Sequence, residues 1–279
     1  MAEPGPTQPP RRLTAAVAGV GQRALDTLEQ VGAVTNLLVA VMGWIRRWMT
    51  ERRVRLGRPA IISQLVRVGV RSIFIISLVS GCVGLILVLQ MAPPLDQFGQ
   101  RELVANITGV AVLRELGPLI AAIVLTGFAG AAIAAEIGTM VVGEEIEALE
   151  AHALNPVRFL VIPRVLATIA AMGCLAVISD LVAIFSGMIT GAVALDIPFG
   201  KYIDNTLRQV KLVDFLTGWG KALVFGMLIG AIACTNGLRV TGGAAGVGRA
   251  TTLTVVQSIV AIIIADLIFT AVFYALELV

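Results

Sequence analysis

Four ionisable residues stand alone inside long apolar runs of the sequence: Glu136, Asp180, Lys221 and Asp266. Charges are costly in a lipid interior, so such residues usually pair with one another or face a cavity, an ion pathway or a substrate. Lys221 has two candidate partners, Asp180 and Asp266, and its long stem also allows it to reach the membrane surface. The pattern favours structural pairing, with a proton relay through the carboxylates as the alternative.

A pair of adjacent charges, Arg114 and Glu115, precedes another apolar run, and Pro118 follows three residues later. Proline is tolerated in the first turn of a helix, because the N–H that it lacks has no partner there. The pair therefore lies where a membrane helix begins. It is expected to face a cavity or a partner, and a simple interfacial anchor is the alternative.

A dense acidic segment follows the second apolar run, with four acids in seven residues, so this part of the chain is expected to lie in water. Its apolar residues fall three and four positions apart, which gives a short helix one apolar edge. That edge favours docking onto a cytoplasmic partner, and packing on its own chain or on the membrane is the alternative. The residues assigned to docking are Glu144, Glu145, Ile146, Glu147 and Leu149.

Other sequence features do not form a catalytic or metal site. The stretch 242–252 nearly matches a nucleotide-binding P-loop, but Arg249 replaces the lysine and Ala250 replaces the hydroxyl residue that holds magnesium. A flexible cytoplasmic loop is predicted there instead. The single histidine, His152, has no evident catalytic partner, and the three cysteines lie far apart in apolar runs. No catalytic residue and no metal is therefore expected.

The elements that hold these residues are membrane helices. The chain is 57% hydrophobic and only 14% charged, whereas soluble domains carry about 25% charged residues. Five runs approach the roughly 20 residues that a bilayer requires. Small residues recur every four positions in several of them, which predicts close helix packing within the chain or along a homodimer seam. The predicted spans are 72–95, with Pro93-Pro94 ending its helix, 116–139, 165–195, 215–238 and 250–276.

The charge distribution orients the chain. Of the 21 Lys and Arg residues, 11 precede residue 72, which predicts a cytoplasmic N-terminal region on anionic headgroups rather than a nucleic-acid-binding segment. The domain division has a disordered basic tail at 1–24, an interfacial amphipathic helix region at 25–58 and a five-helix membrane domain at 59–279. A sixth span at 30–45 is the rival interpretation. The fold expected is all-α and polytopic, with an N-terminal interfacial helix, five transmembrane helices and a cytoplasmic coupling helix.

Several ordered motifs closely resemble the MlaE/YrbE family of permeases. The similarity covers roughly residues 60 to 276, and its motifs are specific in type and order. It departs at Phe128, where the family often has arginine, and at Glu145, where glutamine is frequent. The matching runs are 114–118, 127–140, 145–149, 155–158, 163–164, 214–215, 225–226 and 246–252, together with Lys221, Cys234 and Gly237.

The resemblance implies a permease subunit of an ABC transporter in the bacterial inner membrane. Two copies would form the core, each docking a separate cytoplasmic ATPase through residues 144–154. ATP and magnesium would be bound by that ATPase and no cofactor by this chain. A periplasmic MCE-domain protein would pass a phospholipid or related lipid to or from a cavity between the copies, and a small STAS-domain protein is a further partner of such systems. Residues at matching positions, assigned to the lipid cavity or its gating, are Arg114, Glu115, Lys221 and Arg249. An ion-coupled secondary transporter and a passive scramblase or scaffold are the alternative functions.

Overall fold

The computed structural model describes residues 12–50 and 58–277, and in these ranges every regular element is helical. Three π turns interrupt the α-helices, at Val112–Leu116, Thr126–Gly130 and Val157–Val161, and a 3₁₀ turn lies at Val70–Ser72. The α-helices are α1 Arg12–Thr50, α2 Arg58–Val68, α3 Ile73–Gln97, α4 Leu103–Ala111, α5 Gly117–Leu125, α6 Ala131–Val142, α7 Glu145–Ala151, α8 Ile162–Ala194, α9 Phe199–Gln209, α10 Leu212–Leu238 and α11 Gly243–Ala275.

Five helical stretches are long and apolar enough to cross a membrane, which confirms the predicted number. One predicted boundary was wrong, because α3 continues to Gln97 with Pro93 and Pro94 inside it. The two prolines lie close to the helix end, and the bonds that their missing N–H groups would donate, to the carbonyl groups of Leu89 and Gln90, are the ones lost. The five stretches are Pro59–Gln97, Leu103–Val142, Val157–Ala194, Leu212–Leu238 and Gly243–Ala275.

Helix α1 lies across one end of the bundle. Glu29 forms an ion pair with Arg239, after α10, and the Trp44 ring stacks under Arg158, before α8. These two α1 residues are about 22 Å apart along the helix, yet both contact loops at the same end. That geometry supports the interfacial helix over a sixth span. The helix begins at Arg12, so the tail predicted to be disordered at 1–24 is helical from that residue, and positions 1–11 and 51–57 lie outside the described residues.

Small residues let the central helices approach closely, as the four-residue stripes predicted. A β-carbon on Gly84 of α3 would lie 2.1 Å from the carbonyl oxygen of Ala183 in α8. A β-carbon on Gly226 of α10 would lie 2.8 Å from the carbonyl oxygen of Thr168, also in α8. Helix α8 is therefore the centre of the bundle, with α3 and α10 against it. Gly127, by contrast, faces open space.

The opposite end of the bundle is closed by α9, which packs against α4. Tyr202 of α9 is buried beside Gly191, whose β-carbon would come within 2.9 Å of the tyrosine ring. At the surface, Lys201 forms an ion pair with Glu102. The loop 98–102 and the segment 195–211, which contains α9, thus lie together at the end remote from α1 and α7.

Candidate functional site

A π turn positions the two adjacent charges at 114 and 115. The N–H of Gly117 donates to the carbonyl oxygen of Val112, five residues earlier, instead of to the residue four earlier. Pro118 follows and has no N–H, so the carbonyl four residues before it cannot be paired in the usual way. Widening the helix by one residue absorbs this defect, and such π turns occur often at functional sites. The turn swings Arg114 and Glu115 towards α10.

Lys221 of α10 joins three elements through one buried ammonium group. Its side chain is only 2% exposed. The Nζ atom lies 2.6 Å from Glu115 Oε1, 3.0 Å from Asp266 Oδ1 and 2.9 Å from Thr270 Oγ1. The Thr270 hydroxyl also donates to Glu115 Oε1 at 2.9 Å. We call these four residues the Lys221 network; it ties α10 and α11 to the π turn.

Arg114 and Glu115 do not pair with each other, so the simple anchor pair considered for them is not what forms. Arg114 turns instead to Asp214, with Nε 2.7 Å and Nη2 2.5 Å from Oδ1. The Asp214 carboxylate is almost fully buried and also accepts the N–H of Lys211 at 2.7 Å. Asp214 entered the sequence analysis only as part of the matching run 214–215. Its position three residues after Lys211, the residue that caps α10, is the local signal for its capping role.

Asp180 of α8 is separate from the Lys221 network. It is buried, and its Oδ1 has no hydrogen-bond partner among the residues that the structure describes. The carboxylate lies against Gly117, where a β-carbon would come within 1.7 Å of Oδ1. The neighbouring Ser179 donates to the Gly117 carbonyl oxygen at 3.0 Å. Of the two partners considered for Lys221, Asp266 is therefore the one that pairs with it.

Arg249 lies far from the other three residues assigned to the lipid cavity. It is on the first turns of α11, 17 residues before Asp266, a distance of about 25 Å along the helix. There its exposed side chain lines a cleft of about 410 Å³ with Gln30, Arg239 and Asn236. The four assigned residues thus belong to two regions at opposite ends, because a helix cannot bring positions 249 and 266 together.

The segment assigned to docking forms α7, and Glu144 begins it with a left-handed backbone conformation. Ile146 packs against the hydrophobic core and Leu149 is half-buried. The apolar edge thus turns largely onto its own chain, which was the alternative considered. What α7 presents to the outside is its acidic face, with Glu144, Glu145 and Glu147 exposed.

The stretch predicted as a flexible loop near 242–252 is helical from Gly243 onward, so that expectation was wrong. Gly242 begins the helix at φ 83°, a conformation that favours glycine. At Gly246 the helix packs so tightly that a β-carbon would lie 2.0 Å from the Thr241 carbonyl oxygen. The glycines of the near P-loop match therefore serve the turn and the start of α11.

A second ion network lies at the α1 end. Glu136, isolated in the sequence, accepts Arg67 Nη1 at 2.6 Å and faces Arg164 Nη2 at 3.4 Å. Arg164 is buried and also donates to the Leu160 carbonyl oxygen. Sequence reasoning did not pair these residues, because they come from three separate spans with no fixed spacing between them.

Comparisons with known proteins agree with this architecture. The family profile described as "Permease MlaE" matches residues 61–272. A probable ABC transporter permease protein of Rickettsia felis is 34% identical over 255 residues, covering 91% of this chain and 96% of the relative. The intermembrane phospholipid transport system permease protein MlaE of Haemophilus influenzae is 28% identical over 259 residues, covering 92% and 97%. The chloroplastic protein TRIGALACTOSYLDIACYLGLYCEROL 1 of Arabidopsis thaliana is 33% identical over 213 residues, covering 76% and 61%.

The fold and these similarities define the class as a transmembrane permease subunit of ABC transporters. Within that class the chain belongs to the MlaE permease family, and it is a multi-pass protein of the inner membrane.

Proposed function

We propose that this chain moves a phospholipid or a related lipid between the inner membrane and the outer envelope, driven by a separate ATPase. The observation that carries the proposal is that the buried Lys221 network lies within the bundle that matches the MlaE permease family. A relative of similar length is named as a permease of intermembrane phospholipid transport. Ion pairs between helices inside a membrane bundle suit a gate, because separating them changes the helix packing.

The Lys221 network and the Arg114–Asp214 pair would form the gate towards the outer side. Both connect the second span to α10, so one rigid movement of α10 strains both. The Glu115 side chain is 35% exposed, whereas Lys221 is 2% exposed. The carboxylate flank is therefore the side from which a lipid headgroup would reach the network in a cavity between two copies of the chain.

Coupling to the ATPase would occur through α7. With Ile146 packed inward, the ATPase would recognise the exposed acidic face, so a basic docking surface is the complementary chemistry. The homodimer, a periplasmic MCE-domain protein and a small STAS-domain protein complete the proposed assembly. A charge-reversing substitution on α7 tests this docking step directly.

The first test reverses the charge on α7. Glu147→Lys in the chain co-expressed with its cognate ATPase should weaken copurification at least tenfold and lower lipid-stimulated ATP hydrolysis. Asp204→Lys is the matched control, since Asp204 is also exposed but lies on α9 at the opposite end. Equal recovery of the ATPase with both variants would contradict the docking role of α7.

The same preparation separates the alternative functions. Proteoliposomes containing the permease and its ATPase should move fluorescent phospholipid only when ATP is hydrolysed. Movement that follows a proton gradient without ATP would indicate an ion-coupled transporter. Movement that is equal with and without nucleotide would indicate a passive scramblase.

A further inference from the structure

A narrow crevice of about 130 Å³ opens beside the Glu136 network, between α2 and the second span. Arg67, Arg71 and Glu136 line its polar end. Its other wall is apolar, with Phe128, Ala132 and Ile133. The crevice is therefore charged at one end and apolar along the rest of its length.

The charges at the polar end do not balance. Glu136 is the one acid among the residues that line the crevice, and it already accepts a hydrogen bond from Arg67. Arg164, which does not line the crevice, lies 3.4 Å from the other carboxylate oxygen of Glu136. The Arg71 side chain makes no hydrogen bond or ion pair to any residue in the described ranges 12–50 and 58–277. Counting formal charges, three arginines face one carboxylate, so this end of the crevice carries an excess of about two positive charges.

The position of Arg71 makes this excess costly. It lies within the first span, directly before the uncharged stretch 72–95, and therefore at the edge of the hydrocarbon region. A charge at this depth is normally paired. Arginine binds phosphate with two parallel hydrogen bonds, which makes a lipid phosphate the natural counterion.

The apolar wall has the dimensions of part of an acyl chain. Phe128 and Glu136 are eight residues apart, about 12 Å along the helix, and Ala132 lies between them. Phe128 and Ala132 are exposed, so the wall is accessible from the lipid side. Headgroup and chain would thus occupy the two ends of one crevice.

We propose that this crevice binds one anionic glycerophospholipid from the leaflet on the α1 side, its phosphate at Arg71 and Arg67 and one acyl chain along Phe128 and Ala132. The site is distinct from the Lys221 network, since Glu115 and Glu136 are separated by about 30 Å along the second span. It does not depend on the proposed transport function, because a lipid held here would bind equally in a chain that transports nothing.

The test is native mass spectrometry of the purified full chain with added phosphatidylglycerol, phosphatidylcholine or glycerol 3-phosphate. The wild-type chain should retain one phosphatidylglycerol in preference to phosphatidylcholine. Arg71→Gln should weaken its binding roughly fivefold, the effect of one arginine at a membrane surface. Arg71→Lys keeps the charge but loses the paired hydrogen bonds, so its loss should be smaller than that of Arg71→Gln. Arg208→Gln is the matched control, because it removes one exposed arginine from α9.

A second variant addresses the apolar wall and does not alter any charge. Ala132→Leu should fill the crevice and weaken phosphatidylglycerol binding, without an effect on glycerol 3-phosphate. The proposal is overturned if Arg71→Gln binds like wild type or if Arg208→Gln loses as much. It is equally overturned if glycerol 3-phosphate binds as tightly as the lipid, which would make this an anion site. Disulfide formation between two copies carrying Ala132→Cys would show that protein covers the crevice, and would also overturn it.

Discussion

Replacing Lys221 with methionine should destabilise the bundle more than any exposed charge substitution. The side chain is 2% exposed and its ammonium group holds two carboxylates, Glu115 and Asp266, at 2.6 and 3.0 Å. Methionine retains most of the side-chain volume, so the lost charge dominates the effect. Removing one partner of a buried ionic cluster costs about 3–5 kcal/mol, because the remaining charges lose their compensation.

That cost corresponds to a fall in the denaturation midpoint of roughly 6–20 °C, at about 2–4 °C per kcal/mol for a chain of this size. The assay is thermal denaturation of the detergent-solubilised chain, followed by size-exclusion chromatography or an internal fluorescence signal. Lys201→Met is the control, since its pair with Glu102 is about half exposed on both sides. Exposed pairs contribute less than about 1 kcal/mol.

A second substitution tests whether charge compensation stabilises the Lys221 network. Asp266→Asn added to Lys221→Met removes one of the two uncompensated carboxylates, so it should restore part of the lost stability although it is a further substitution. If Lys221→Met denatures within about 2 °C of wild type, or if Asp266→Asn lowers its stability further, the network is not stabilised by charge compensation and the reasoning is wrong.

Two further predictions concern buried side chains outside the Lys221 network. Gly117→Ala should destabilise the chain by about 1–3 kcal/mol, the usual cost of overpacking, because the new β-carbon would lie 1.7 Å from Asp180 Oδ1. In an Asp180→Ala background the loss of stability should be smaller. If thermal denaturation shows that the two losses simply add, the contact is contradicted. Burial raises the pKa of Tyr202 to about 12, so the folded state keeps the phenol neutral and loses stability as the pH rises above about 10, where the unfolded tyrosine ionises. Tyr202→Phe should therefore lose about 1.4 kcal/mol less than wild type between pH 8 and pH 11, whereas Tyr274→Phe, at an exposed position, should behave as wild type.

The five membrane spans were predictable because insertion depends on composition over some 20 residues, which is a local property. The same holds for the acidic helix after the second span, since four charges in seven residues exclude a membrane interior. Helix ends were less well predicted. The start of α11 at Gly243 and the continuation of α3 through Pro93 and Pro94 depend on capping and on what packs beside each end.

The partners within the site were decided only by the tertiary structure. Adjacent Arg114 and Glu115 separate to different partners on α10 and α11 because a π turn rotates them, and that turn rests on Pro118 together with the packing of α10. Lys221 selects Asp266 over Asp180 because α11, and not α8, presents its carboxylate to that side of α10. The sequence by itself therefore determined which segments enter the membrane and which residues carry charge there. Which charges meet depended on helix neighbours and rotation, which no spacing along one chain specifies.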